Sequence, residues 1–205
     1  MDGRPTDASP LPWPLPDALA LRDALLAAYA DPTRGYHDVR HLSEVLDRLE
    51  ELAAAGAVFD RTPVLLAAWF HDAVYDGERD AEERPAAWAE HALPGLVDDA
   101  TVAEVARLVR LTESHRPDDA DLNGCALSDA DLGILAAPQQ RYDEYAAAVR
   151  AEYRHLTDDV FIAGRADVLR ELTAKPRLFH TAYALSRWEE PARRNVEREL
   201  SVLVA

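Results

Sequence analysis

The stretch Leu65-Leu66-Ala67-Ala68-Trp69-Phe70-His71-Asp72-Ala73-Val74-Tyr75 decides how this chain is read. Apart from His71-Asp72 its residues form an apolar helical run, so it is expected to form a core-facing helix from about Thr62-Pro63 to about Val74, with proline in the first turn. His71 and Asp72 fall inside that run. A buried charge without a partner is costly, and a metal cation is a compensation that both side chains can share. Upstream, Tyr36-His37-Asp38-Val39-Arg40-His41 sets two histidines four residues apart, one turn along a common helix face. Together the two stretches point to a metal site within a helical bundle.

Composition agrees with that reading. A chain of 205 residues most economically forms one domain. Glycine is scarce at 8 residues, hydrophobic residues make up 48%, and β-branched runs are short, so helices are favoured over strands. The expected fold class is all-α, a single-domain multi-helix bundle, with a proline-rich lead-in over 1–16 and the helical domain over 17–205. Asp17 can cap a helix to about Ala30, ended by Asp31-Pro32. The next helix spans about Asp38 to Ala55, its apolar face formed by Val39, Leu42, Val45, Leu46, Leu49 and Leu52, with Gly56 as its stop. Further helices are expected at 81–93, 100–114, 122–136, 139–155, 158–173, 176–186 and 189–203.

Charge and cysteine content narrow the function classes. With 22 basic residues against 38 acidic, the net charge of −16 argues against broad nucleic-acid or anionic-membrane binding. A small phosphorylated substrate remains compatible, because a metal and a few arginines can dominate one pocket. No run of 18 apolar residues is present and the N-terminus lacks a signal pattern, so the expectation is a cytoplasmic protein, monomer or homodimer. The single cysteine, Cys125, excludes an internal disulfide framework and fits a reducing compartment. Its neighbours Ala126 and Leu127 mark it as a packed thiol. No Walker loop, GxGxxG turn or nucleophile elbow occurs, which leaves kinase, NAD-dependent and α/β-hydrolase readings without support.

Four places supply the chemistry. His41 lies beside the apolar stripe of its helix; His71 and Asp72 come from the following helix. Leu127-Ser128-Asp129-Ala130-Asp131-Leu132-Gly133-Ile134-Leu135 adds a carboxylate in an apolar setting, Asp129 or Asp131. Two imidazoles with two carboxylates form a mixed N/O set suited to one divalent ion such as manganese, zinc, cobalt, iron, nickel or magnesium. His37, one turn from His41, is placed to meet a substrate held by that ion. Arg34 and Arg150 are candidate phosphate contacts through their guanidinium forks. His115 follows Thr112 near a helix end and can face the pocket.

The ordered set His41, His71-Asp72, Asp131 resembles the signature of the HD-domain metal-dependent phosphohydrolase superfamily. RGYHDVRHL, FHDAVYD, the Thr112/His115 spacing, LSDADLGIL, VRAEY and a later GR resemble a bacterial branch of predicted HD phosphohydrolases, from about Arg34 to Arg165. The resemblance implies an all-helical fold and hydrolysis of a phosphate ester. It also implies His41, His71, Asp72 and Asp131 as metal ligands, with Asp129 orienting a ligand or water. Similarity of YHxxxH to cyclic-nucleotide phosphodiesterases implies His37 as proton donor to the leaving oxygen. The branch's Asn-Glu pair with a following serine is replaced here by Ala81-Glu82-Glu83-Arg84-Pro85, with only Glu82 retained.

The expected function is therefore a metal-dependent phosphohydrolase that cleaves a phosphate ester of a small molecule or nucleotide with metal-activated water. His37, Asp72 and Asp129 are its expected catalytic groups, and Arg34, His115 and Arg150 its expected substrate contacts. Two alternatives stand beside it. One is a di-iron HD-type oxygenase, in which His91 and His115 complete a second metal site. The other is a non-catalytic, metal-stabilised helical binding protein.

Overall fold

The sixteen residues of the most amphipathic segment show how the bundle is built. Asp38 adopts an extended backbone, and its carboxylate accepts the amide N–H groups of Arg40 and His41 at 2.9 and 3.1 Å, which starts helix α2 (Val39–Ala54). Its Leu42, Val45, Leu46, Leu49 and Leu52 are fully buried. Each such side chain contributes roughly 1.5–3 kcal/mol of apolar burial. Gly56, with φ at +92°, turns the chain after the helix, as expected of a left-handed stop.

The computed structural model describes residues 11–75 and 82–204. Among these, every regular element is helical: α1 (Leu19–Tyr29), α2, α3 (Arg61–Phe70), α4 (Glu83–Ala92), α5 (Asp99–Leu111), α6 (Leu122–Leu132), a 3-10 turn (Gly133–Ala136), α7 (Gln139–Glu152), α8 (Asp158–Ala174), α9 (Ala182–Arg187) and α10 (Glu189–Leu203). No helix is long and apolar enough to cross a membrane. Helix α3 is the hub. Val64 through Phe70 are all buried, and it packs against α2, α4, α5 and α6. Helix α10 closes the other end against α8, α9 and the 3-10 turn.

Residues 1–10 of the expected lead-in, Ala81 at the expected start of the fourth helix, and Ala205 lie outside the described residues. The rest of the lead-in is docked on the core. The Trp69 indole N–H donates to the Pro12 carbonyl at 2.9 Å, and Trp13 meets Trp69 edge-on with ring centroids 5.0 Å apart. Helix α1 starts from Ala18 without a side-chain cap, so Asp17 does not serve as one.

Three helical expectations are corrected. Helix α3 ends at Phe70 rather than near Val74; the Ala73 N–H returns to the Phe70 carbonyl, and the chain turns. His71 and Asp72 therefore sit at a helix end, not in its middle. His37 precedes the cap of α2 and is not part of the helix. The helix expected at 176–186 is reduced to α9, because its first N–H groups are already engaged. Leu178 and Phe179 donate to Glu189, and His180 and Thr181 donate to Asp129.

Candidate metal centre

The first turn of α2, the end of α3 and the second half of α6 bring their polar side chains to one point. His41 and His71 are buried, with side chains 1% exposed, while Asp72 and Asp131 reach the surface of a cleft. The two Nε2 atoms lie 3.0 Å apart. Asp72 Oδ2 is 3.1 Å from each of them, and Asp131 Oδ1 is 3.3 Å from His41 Nε2 and 3.7 Å from His71 Nε2. Donors held ~2.1 Å from one ion are separated from each other by about 3.0–3.4 Å, so most of these spacings match a shared cation. The buried His41 and His71 and the half-buried Asp131 can together hold a metal ion: each offers one donor atom, and all lie within 4.8 Å of one another.

Hydrogen-bond chemistry supports the same fit. His71 Nδ1 lies 2.8 Å from the Ala68 carbonyl oxygen, which can only accept. The proton is therefore on Nδ1, and in the neutral ring Nε2 carries a lone pair aimed at the cluster, the arrangement of a metal-ligating imidazole. Burial alone would push the His71 pKa down, but the Asp72 and Asp131 carboxylates outweigh it and hold it well above the ordinary imidazole value. Burial likewise opposes ionisation of Asp131, yet the His71, His115 and His41 rings hold it well below the carboxylate range. Protons and a cation thus compete for one negative pocket.

The backbone of the cluster is clamped from below. Arg34 donates to the carbonyls of His37, Asp72 and Ala73 at 2.8, 2.7 and 2.9 Å, joining the segment before α2 to the turn after α3. Tyr29 Oη accepts the Asp72 N–H at 3.2 Å. Glu152, at the end of α7, accepts the N–H groups of Gly35, Tyr36 and His37 with Oε1 and binds His37 Nδ1 through Oε2 at 2.7 Å. His37 also stacks on Tyr75 with ring centroids 3.9 Å apart. Burial opposes its protonation, but Asp72 and Glu152 raise its pKa overall.

The cluster opens into a cleft of about 740 Å³ whose walls include His37, Asp72, His115, Asp131, Tyr36 and Tyr145. His115 has φ at +48°, the one left-handed non-glycine residue among those described, and its Nε2 lies 3.5 Å from Asp131 Oδ2. Such a backbone costs about 1–3 kcal/mol and commonly marks a site under functional constraint. Arg116 and Lys175 bring positive charge to walls that also carry Glu113 and Glu171, and Arg165 is there paired with Glu199 at 2.8 and 3.0 Å. Of these, only Arg165 drew attention in the sequence; Arg116 sits in a loop and Lys175 at a helix end, where local pattern carries no signal. Glu152 falls within the VRAEY stretch, but its role was silent, because every group it holds is distant in sequence.

Several expected site residues are placed elsewhere. Arg150 is not among the cleft residues; it donates to the Tyr153 and Leu156 carbonyls and to Asp158, over the Phe161 ring. Arg34 is committed to the three carbonyls described above. Asp129 is fully buried on the far side of α6, where it accepts the His180 and Thr181 N–H groups at 2.8 and 2.7 Å. Burial pushes its carboxyl up to about 6 despite those two donors. Its neighbour by two residues, Asp131, faces the cleft, as two positions out of phase on one helix require. His91 is exposed at the last turn of α4 and does not join the cluster.

Comparison with known proteins adds no relative: no family model, no curated protein and no solved structure matches the chain.

Proposed function

We propose that this chain is a metal-dependent phosphohydrolase of the HD type that cleaves a phosphate ester of a small molecule. The observation that carries the reading is the convergence of His41, His71, Asp72 and Asp131, drawn from three separate elements, on the floor of an open cleft. Those four side chains would hold one divalent ion; the exposed position of His91 speaks against a second ion ligated by His91 and His115. Such an ion supplies Lewis acidity, which makes water nucleophilic near neutral pH and polarises a phosphoryl oxygen.

The remaining work falls to residues of the chain. Glu152 occupies His37 Nδ1, so Nε2 is the atom left to deliver a proton to the departing ester oxygen. The Tyr75 ring and the Glu152 bond fix the imidazole plane before substrate arrives. Arg116 and Lys175 attract an anion to the cleft. His71 and Asp72 are held in register by Ala68, Arg34 and Tyr29, so the donor set is assembled in advance.

The test is phosphate release from a panel of phosphate esters by purified protein supplied with manganese, zinc, cobalt, nickel, iron or magnesium. His71→Ala and Asp72→Ala should lose both bound metal and turnover. His37→Ala should keep its metal while kcat falls ~10²-fold or more. Turnover that survives His71→Ala and Asp72→Ala defeats the proposal.

A further inference from the structure

In a chain with 38 acidic residues against 22 basic ones, cations gathered on one wall need an explanation. A second cavity, of about 820 Å³, opens beside the metal cleft and shares His115, Arg116, Glu171 and Lys175 with it. Arg177 and His180 line its far side. Three cations therefore face this space, with Glu171 as the one carboxylate among the lining residues.

Their existing partners leave capacity for an anion. Lys175 Nζ donates to the Ser114 and His115 carbonyls at 3.1 Å each, which fixes the ammonium and leaves its third N–H free. Arg116 is exposed and forms no ion pair among the described residues. Arg177 pairs with Asp119, whose side chain is 74% exposed, a type of pair that holds weakly in water. His180 Nδ1 is buried without a hydrogen-bond partner, and the Asp119 carboxylate is 3.8 Å away. Burial, together with the adjacent Arg116, pushes the Lys175 ammonium pKa down, and the Glu171 carboxylate only partly offsets this.

We propose that this second cavity binds a further anionic group of the substrate. The substrate class is then a small phosphate ester with a phosphate or carboxylate at its other end. The ester would lie over the His/Asp cluster and the distal oxyanion between Arg116, Lys175 and Arg177. The inference rests on the reading of the cleft as a phosphate-ester site. It adds a selectivity that the metal cluster alone cannot supply, because a single cation sees only the near phosphate.

Equilibrium binding tests it on the full chain loaded with manganese. The probes are alkyl phosphates of increasing length that end in methyl, carboxylate or phosphate, titrated by calorimetry. At one chain length, an anionic end should tighten binding roughly tenfold over the methyl end, and carboxylate against phosphate reports which oxyanion is preferred. Arg116→Ala combined with Arg177→Ala should reduce that ratio to within about twofold. Added salt should weaken the anion-ended probe faster than the methyl-ended one in the unmutated protein. Equal affinities at every length, or a ratio that survives both substitutions, overturns the inference. Hydrolysis of methyl-ended esters without any such ratio sinks this inference alone, whereas a clear ratio without hydrolysis sinks the hydrolase reading alone.

Discussion

Asp129 and Asp131 show how far two carboxylates on one helix can differ in task. Asp131 faces the imidazoles, and Asp129 holds the chain ahead of α9. Asp131→Asn should abolish the rise in melting temperature produced by divalent ions. Asp129→Asn should preserve that rise but lower stability by ~1–3 kcal/mol, because one buried N–H loses its acceptor. Thermal melts with and without manganese separate the two; a metal response lost only in Asp129→Asn would reverse the assignment. Cys125 gives a second expectation at this scale. It is 4% exposed, and burial pushes its thiol up to about 11. Alkylation by iodoacetamide near pH 8 should therefore be slow in the folded chain and fast in urea. The pairing of His with Asp in an apolar run was legible in the sequence because such residues are costly there. Which neighbouring aspartate serves the cluster was settled only by helix phase and packing.

Between elements, the contacts that matter are long-range caps and clamps. Arg141 of α7 grips Glu44 of α2 through two bonds of 2.6 and 2.9 Å. Burial opposes ionisation of Glu44, but Arg141 outweighs it and lowers its pKa below the ordinary 4.5. Its contribution to stability is therefore present above about pH 4.5 and lost as pH falls through the lower folded value. Glu44→Gln should cost ~1–2 kcal/mol at pH 7 and flatten this part of the acid limb in urea titrations. An unchanged limb would show that the pair contributes nothing. Gly35 supplies the complementary case, since a Cβ there would collide with the Ala148 carbonyl oxygen. Gly35→Ala should shift the segment against α7 and so reduce turnover through His37, which circular dichroism and phosphate release together can read. These links explain the misread boundaries. The apolar period continues through Ala73-Val74 although the helix has ended, and residues 178–181 look helical although Glu189 and Asp129 have taken their N–H groups.

For the whole molecule, the helix inventory was legible because binary patterning is local. The cleft was not, since its walls come from the segment before α2, the turns after α3 and α5, α6 with its 3-10 turn, α7 and α8. A cation bound by the folded chain alone should stabilise it by about 2.7 kcal/mol at a hundred times the dissociation constant. That gain should shrink on acidification, as protons compete for the imidazoles. The most direct measurement is anomalous diffraction from crystals of the full chain grown with manganese. The account predicts one peak about 2.0–2.3 Å from His41 Nε2, His71 Nε2 and an Asp131 oxygen, with Asp72 beside it. Crystals that bind manganese elsewhere, or show these four side chains joined only by hydrogen bonds at saturating metal, would contradict it.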